Sequence, residues 1–257
     1  MQIENAASRF TGKSQAYASA RPGYPPELAE KLRECGAAGA EAADIGAGTG
    51  LFTRLLLGLG CTVCAVEPND EMRAQAQREL GAIPGFSCRK GAAEDTGLPD
   101  GSVSLVTAAQ SFHWFSAAAF RRECLRILRP GGAALLVWNA RVEEAPVMRS
   151  LSSVFRRFCP QFAGFMGGDF TRTESDIRLF FGGEPERWVF PHPLHYTEDA
   201  FLRRCYSSSY SLREGEEGFD RYTDSLRAVF AAHAKDGVLL LPNETTAYWG
   251  RPGEASQ

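Results

Sequence analysis

Asp44-Ile-Gly-Ala-Gly-Thr-Gly50 follows Glu41-Ala-Ala and leads into Leu51-Phe-Thr-Arg-Leu-Leu-Leu57, so a short strand enters a glycine turn from which a helix begins. Glycines placed this way let the backbone bend tightly and lie close against a ligand. Their spacing narrows the choice. A dinucleotide fingerprint reads G-x-G-x-x-G, whereas the glycines here fall at 46, 48 and 50 and Leu51 holds the place of the third fingerprint glycine. No Gly-Lys-Ser/Thr follows, so the turn is not a Walker phosphate loop either.

Outward from the turn, strands and helices alternate. Pro25-Pro26 opens a helix that stops before Gly36, since proline is tolerated in a first helical turn and glycine ends one. Leu51 to Leu59 reads as a helix closed by Gly60, and Cys61 to Glu67 as the second strand. Asn69 caps a helix that runs to Leu80 and ends at Gly81. Phe86 to Lys90, Val103 to Ala108 and Ala133 to Trp138 are further apolar runs of strand length; a helix from Ser116 to Leu128 separates the last two, ended by Pro130-Gly131-Gly132. This order predicts βαβ units, an α/β fold with a doubly wound, mostly parallel sheet covered on both faces.

From about Arg141 the texture changes. Residues 141–257 hold 18 of the 28 aromatic residues and few strand candidates. Helices are expected at 146–158, 173–180, 198–210 and 216–235. Strands over Glu186 to Tyr196 and Thr245 to Arg251 are expected to extend the sheet as an antiparallel edge. The expected organisation is an N-terminal segment 1–24, a core 25–140, and a helical cap with closing strands over 141–257. Most of the cap aromatics are assigned to packing and the remainder to a pocket wall.

The 257 residues are 44% hydrophobic and 23% charged, with 28 Lys and Arg against 31 Asp and Glu. The balance is 14 against 14 up to residue 140 and 14 against 17 beyond it. Neither part supplies the basic field that a phosphate backbone needs, so no nucleic-acid partner is expected. No apolar run approaches the ~18 residues of a membrane span, and Met-Gln-Ile-Glu-Asn lacks a signal's charged and apolar regions. Seven widely spread cysteines read as reduced thiols in a cytoplasmic setting. Cys61 and Cys64 share a strand and point to opposite faces, which suits packing and not a metal. His192 and His195 have no acidic or thiol company at ligand spacing, so no metal is expected there.

Glu67 ends the second strand 17 residues after Gly50. A carboxylate there accepts two hydrogen bonds from a ribose diol and repels a ribose phosphate. The glycine turn, Glu67-Pro68-Asn69 with Met72, Gly91-Ala-Ala-Glu-Asp95, Leu98-Pro-Asp100, Val103-Ser-Leu-Val-Thr107 and Leu128-Arg-Pro-Gly-Gly132 occur in an order that resembles the class I S-adenosylmethionine-dependent methyltransferases. Phe10-x-x-Lys13-x-x-x-Tyr17-x-x-x-Arg21-Pro-Gly-Tyr-Pro25 and Ser111-Phe-His-Trp-Phe115 are similar to a narrower group of small-molecule enzymes typified by trans-aconitate methyltransferase. The resemblance extends to the closing Asn243-Glu-Thr-Thr-Ala-Tyr-Trp-Gly-Arg251.

The resemblance implies a Rossmann-like fold, S-adenosylmethionine as cofactor with S-adenosylhomocysteine as product, and a small-molecule acceptor. It also implies the site: Asp44, Gly46 and Gly48 beside the methionine part, Glu67 on the ribose, Pro68 and Met72 packed on the adenine, Ala93 with Glu94 at the adenine edge, and Gln110 after the fourth strand. Many relatives carry an Asp for the adenine amino group where this sequence has Ala92, which leaves that contact to backbone groups or to Glu94. Tyr17 and Arg21 are four apart, hence on one face of a short helix, and the resemblance implies a segment that covers the cofactor.

His113 follows the fourth strand, whose carboxyl end faces the pocket of an open α/β sheet. It is either a general base toward a hydroxyl or amine acceptor or a part of the pocket wall, with Trp114 and Phe115 packing beside it. Aromatic enrichment favours a partly apolar acceptor, whereas Arg149, Arg156 and Arg157 suit an acidic one. A tRNA or protein methyltransferase and a non-catalytic cofactor-binding protein are the alternatives. An adenine-nucleotide oxidoreductase is disfavoured by Leu51.

Overall fold

The computed structural model describes residues 23–165, 173–208 and 210–253. Tyr17 and Arg21, and nearly all of the expected N-terminal segment, lie outside the described residues.

The chain forms α1 (Pro26–Glu34), β1 (Glu41–Ile45), α2 (Leu51–Gly58), β2 (Thr62–Val66), α3 (Asp70–Leu80), β3 (Phe86–Arg89), β4 (Val103–Ala109), α4 (Ala117–Ile127), β5 (Leu128–Arg141), α5 (Pro146–Phe158), α6 (Thr173–Phe181), β6 (Glu186–Pro191), β7 (Leu194–Tyr196), α7 (Glu198–Tyr206), α8 (Phe219–His233), β8 (Leu239–Leu241) and β9 (Asn243–Gly250). Seven strands make one sheet in the order β3-β2-β1-β4-β5-β9-β6. The pairs β1–β2, β1–β4, β2–β3 and β4–β5 are parallel. The fold is the mostly parallel α/β sheet that the alternation of elements predicts. Strand order reverses at β1, and ligands of open α/β sheets bind at such a switch point, beyond the carboxyl ends of the strands.

Two compact units divide the chain: 1–138, 171–190 and 245–257 form one, and 139–170 with 191–244 form the other. A single cut at residue 140 therefore does not describe it. α6 packs on α4, and β6 and β9 join the large sheet, which draws these late elements into unit 1. Its core gathers Leu28 and Leu32 of α1, Phe52 and Leu56 of α2, and Leu105, Leu135 and Trp188 from the strands. Unit 2 packs α5, α7 and α8 with the antiparallel pair β7–β8 around Phe155, Phe201, Tyr222 and Leu226. Phe155 alone meets the rings of Phe162, Phe165, Tyr210 and Tyr222, so the aromatic enrichment of the cap feeds its own core.

Two sequence expectations need correction. The run Glu186 to Tyr196 is not one strand: it splits into β6, at the edge of the large sheet, and β7, in the small one. Pro193 lies in the gap, and proline supplies no amide to a ladder. Pro130-Gly131-Gly132 does not end the helix before a separate strand. β5 already pairs Leu128 with Val103, and the proline–glycine run sits at the register break before Ala133 pairs with Leu105.

A buried carboxylate ties the centre of the sheet together. Asp44 is fully buried in β1; its Oδ2 accepts from Thr53 Oγ1 of α2 at 2.6 Å and its Oδ1 from Thr107 Oγ1 at 2.8 Å, directly opposite on β4. Burial outweighs these two donors and pushes the Asp44 carboxyl up to about 6. A second carboxylate fixes the loop after β3 to α4: Glu123 Oε1 accepts from the Thr96 amide at 2.8 Å and the Thr96 hydroxyl at 2.5 Å, and from Arg126 at 2.7 Å. Burial acts to raise Glu123, but Arg126 and Thr96 overcome it and hold the carboxyl at about 2.

The two groups give opposite pH signatures. A carboxyl raised in the folded state binds its proton more tightly there, so the Asp44 penalty is present above about pH 6 and is relieved as pH falls toward 3.8. Urea unfolding of the ligand-free protein is expected to show this gain, up to about 3 kcal/mol for a shift of this size. Asp44→Asn, whose amide still meets both hydroxyls, is expected to reduce the slope between pH 4.5 and 7. Glu123 does the reverse: its contribution is present above pH 4.5 and is lost as pH falls toward 2. Glu123→Gln is expected to cost about 1–3 kcal/mol at pH 7, read from the same urea midpoints.

Candidate active site

The glycine turn is fastened at both ends. The amides of Gly46 and Ala47 donate to the Val66 carbonyl at 2.8 and 3.2 Å, and the Gly48 amide donates to Glu67 Oε2 at 2.8 Å. Glu67 Oε1 accepts from the Asn69 amide at 2.9 Å. Glu67 thus bridges the glycine turn and the start of α3, and it is 6% exposed. Burial raises its pKa against the pull of these amides and of Arg73. Asn69 Oδ1 caps α3 by accepting from the Glu71 and Met72 amides, both at 3.0 Å. Arg73 Nη1 donates to the Glu67 carbonyl at 2.9 Å, a contact the sequence reading did not foresee.

Gly46 and Gly48 both have left-handed backbones, φ +65° and +59°, but for different reasons. A Cβ on Gly46 would meet Ser111 Cβ at 2.7 Å and Phe115 Cζ at 3.1 Å. A Cβ on Gly48 would meet nothing nearer than Met72 Sδ at 3.9 Å. The backbone at Gly46 is pressed against protein, and the backbone at Gly48 is open. Met72 is buried and Pro68 half-buried.

The loop after β3 forms a second wall. The Ala92 amide and carbonyl are exchanged with Asp95, whereas the buried Ala93 peptide has no hydrogen bond among the described residues. Glu94 Oε1 is already taken by the Ser116 amide at 2.8 Å, at the start of α4. The same loop is therefore held to α4 twice, once by its own Glu94 and once by Glu123 through Thr96.

The segment after β4 brings in the remaining candidates. Gln110 takes a left-handed backbone, φ 58°, rare outside glycine, with its amide on the Val137 carbonyl at 2.8 Å. Ser111 Oγ donates to the Ile45 carbonyl at 2.8 Å, which locks the loop to the end of β1. Phe112 is driven inward among Phe115, Phe120, Trp138 and Phe180. On the single 3-10 turn Phe112–Trp114 the next two side chains then face outward. His113 is exposed with its ring 5.0 Å from Trp114, and Trp114 is 42% exposed instead of packed as expected.

Unit 1 therefore gathers Gly46, Gly48, Glu67, Pro68, Met72 and the β4 loop around the carboxyl ends of β1, β2 and β4. Asp44 is a correction. Fully buried with both oxygens on internal hydroxyls, it holds the turn from beneath and presents nothing to a ligand. Ser111, Thr53 and Thr107 were missed, because a lone hydroxyl carries no spacing signal.

Comparison with known proteins gives the family. The family model described as a methyltransferase domain matches residues 43–136. An uncharacterized methyltransferase of Mycobacterium tuberculosis is 33% identical over 237 residues, 90% of each chain. An uncharacterized methyltransferase-like protein of Schizosaccharomyces pombe is 32% identical over 207 residues, 78% of each chain. A structure from Anaeromyxobacter dehalogenans, described as a type II methyltransferase, superposes with a TM-score of 0.59 at 23% identity, over 90% of this chain and 97% of that one. One from Bacillus halodurans does so at 0.53 and 16% identity, over 87% and 98%. The solved structures show the fold, and the sequence relatives show the family: the chain belongs to the class I S-adenosylmethionine-dependent methyltransferases.

Proposed function

We propose that the protein transfers the methyl group of S-adenosylmethionine to a small-molecule acceptor by in-line displacement. The observation that carries the reading is the open backbone at Gly48, flanked by the Glu67 carboxylate and the Met72 thioether. A side chain at 48 would fill a space that no atom of the described residues uses. Each Glu67 oxygen accepts one amide and keeps a second acceptor direction for a ribose hydroxyl. The free Ala93 peptide offers a donor and an acceptor to an adenine edge, which answers the missing acidic residue at Ala92. Glu94, engaged with Ser116, is the weaker partner. When bound, the cofactor supplies a sulfonium-activated methyl group. The protein's own part is to orient the two reactants, a contribution that can reach roughly 7–11 kcal/mol.

His113, at the exposed end of the β4 loop, is assigned to the acceptor as general base. Its position follows from Ser111 and Phe112, which anchor the loop immediately before it. The net charge of −3 favours a small acceptor over a polynucleotide. The trans-aconitate-like group remains the sequence resemblance that accords with this reading.

Release of S-adenosylhomocysteine, followed across low-molecular-weight acceptors, tRNA and unfolded protein, tests the reading; turnover with only the macromolecules would overturn it. Glu67→Gln retains one carbonyl oxygen but turns an NH2 toward a backbone amide. It is expected to weaken S-adenosylhomocysteine by roughly 1.5–3 kcal/mol in calorimetry. Gly48→Ala is expected to lose affinity with a stability cost of only about 1–2 kcal/mol for the left-handed backbone. His113→Gln is expected to lower turnover on a hydroxyl or amine acceptor by about 10²–10⁴-fold at unchanged cofactor affinity. Near-native turnover in that variant would make His113 a wall residue.

A further inference from the structure

Among its described residues, unit 2 holds a cation that no carboxylate neutralises. Arg141, the last residue of β5, lies with its guanidinium carbon 4.7 Å from the centroid of the Phe165 ring. Tyr210, Cys205 and a second arginine, Arg204, stand close enough to act on its charge. Burial, and then the like charge of Arg204, lower its pKa, while Tyr210 opposes them.

Among the described residues no carboxylate pairs with either arginine. Arg204 Nη1 reaches only Ser207 Oγ, at 3.3 Å. Glu143 and Glu144 follow Arg141 in sequence but are exposed, and it is the Glu144 carbonyl that is used, by Arg149. Cys205 is no counter-ion: burial pushes its thiol up to about 12 in spite of both guanidiniums. The buried arginine of unit 1 shows what a structural role looks like. Arg121 donates Nη1 to the Leu179 carbonyl at 2.9 Å and Nε to the Gly253 carbonyl, with only Nη2 left unpartnered among the described residues. Arg141 has no backbone acceptor of that kind among the described residues; its hydrogen-bond partner is the Tyr210 phenol.

Two partly withdrawn cations whose charges act on one another raise the free energy of the ligand-free fold unless an anion joins them. A guanidinium placed over an aromatic face presents its planar fork of donors to an oxyanion, and a neighbouring phenol adds one more donor. The arginines that sequence reading offered to an acidic acceptor do not share this setting. Arg149, Arg156 and Arg157 of α5 are exposed, and Arg157 lies over the adjacent Phe158 ring.

We propose that Arg141, with Arg204 and Tyr210, binds an oxyanion group, carboxylate or phosphate, carried by the methyl acceptor. The assignment to the acceptor rests on the small-molecule reading above; the anion site itself is tested without it.

The full-length protein saturated with S-adenosylhomocysteine is titrated with benzoate, phenyl phosphate and neutral benzamide at constant ionic strength, and its melting temperature is followed. Benzoate or phenyl phosphate is expected to raise the melting temperature and benzamide to leave it unchanged; the stronger of the two names the anion. Arg141→Met is expected to weaken that anion at least tenfold, Arg141→Lys to retain part of the effect, and Arg156→Met to match the parent protein. In the ligand-free state Arg141→Met is expected to melt higher than the parent, since an uncompensated charge is replaced by an apolar chain of similar length. The proposal is overturned if neither anion stabilises the protein, if Arg141→Met binds it undiminished, or if that variant melts lower, as a packing role demands. S-adenosylhomocysteine titration of each variant reports the cofactor site separately. An intact anion site in a protein that methylates no small molecule would sink the acceptor reading and leave this one standing.

Discussion

One buried carboxylate carries the centre of this molecule. Asp44 fills the space where β1, α2 and β4 meet, and its oxygens are reserved for one hydroxyl from each neighbour. Neither Thr53 nor Thr107 is charged, so the carboxylate is solvated by dipoles and not by an ion pair, and burial still raises its pKa. The arrangement is costly to ionise but directional. It sets the start of α2 relative to the end of β1, and so the glycine turn between them has little freedom left. Its amides then fall on the Val66 carbonyl and the Glu67 carboxylate.

Glu67 repeats the device one strand over, with backbone amides in place of hydroxyls. Because the amides of Gly48 and Asn69 converge on it, removing the charge frees the turn as well as any ligand contact. The loop of Ala93 is fixed differently, by two carboxylates acting in opposite directions between the loop and α4. Three short backbone stretches that could each relax are therefore held from outside by side chains. A site built largely from peptide groups needs such support, since peptide groups cannot adjust as side chains do.

Legibility from sequence followed the same division. Elements marked by punctuation were clear: Asn69 and Gly81 bound α3, and Pro146 opens α5 as expected. Glycine spacing and the carboxylate at 67 pointed to the candidate site because those residue types have few other reasons to stand at those positions. The division of the late chain between the units was not legible, because strand pairing is non-local and β6 and β9 carry no mark of the sheet they join. Asp44 was read as a ligand contact because an acidic residue before a glycine turn looks the same in sequence whether it faces out or in. Its two threonine partners lie 9 and 63 residues away. Only their hydroxyls at one point in space decide the matter.

The buried charges also separate the two units. Among the described residues unit 1 buries Asp44, Glu67, Arg121 and Glu123, and each is held by hydrogen bonds within the protein, although Arg121 keeps one unpartnered nitrogen, Nη2. Such groups fasten loops and helices, Glu67 while keeping a second acceptor direction on each oxygen. Unit 2 closes an aromatic core without any fully buried charge, yet leaves Arg141 and Arg204 together with a ring and a phenol. If the fold were the only requirement, an apolar residue at 141 would serve the ring of Phe165 at less electrostatic cost. A guanidinium kept there is explained by what it can bind. On the two proposals above, cofactor recognition falls to the unit of Gly48 and Glu67, and recognition of the acceptor's anion to the unit of Arg141 and Arg204.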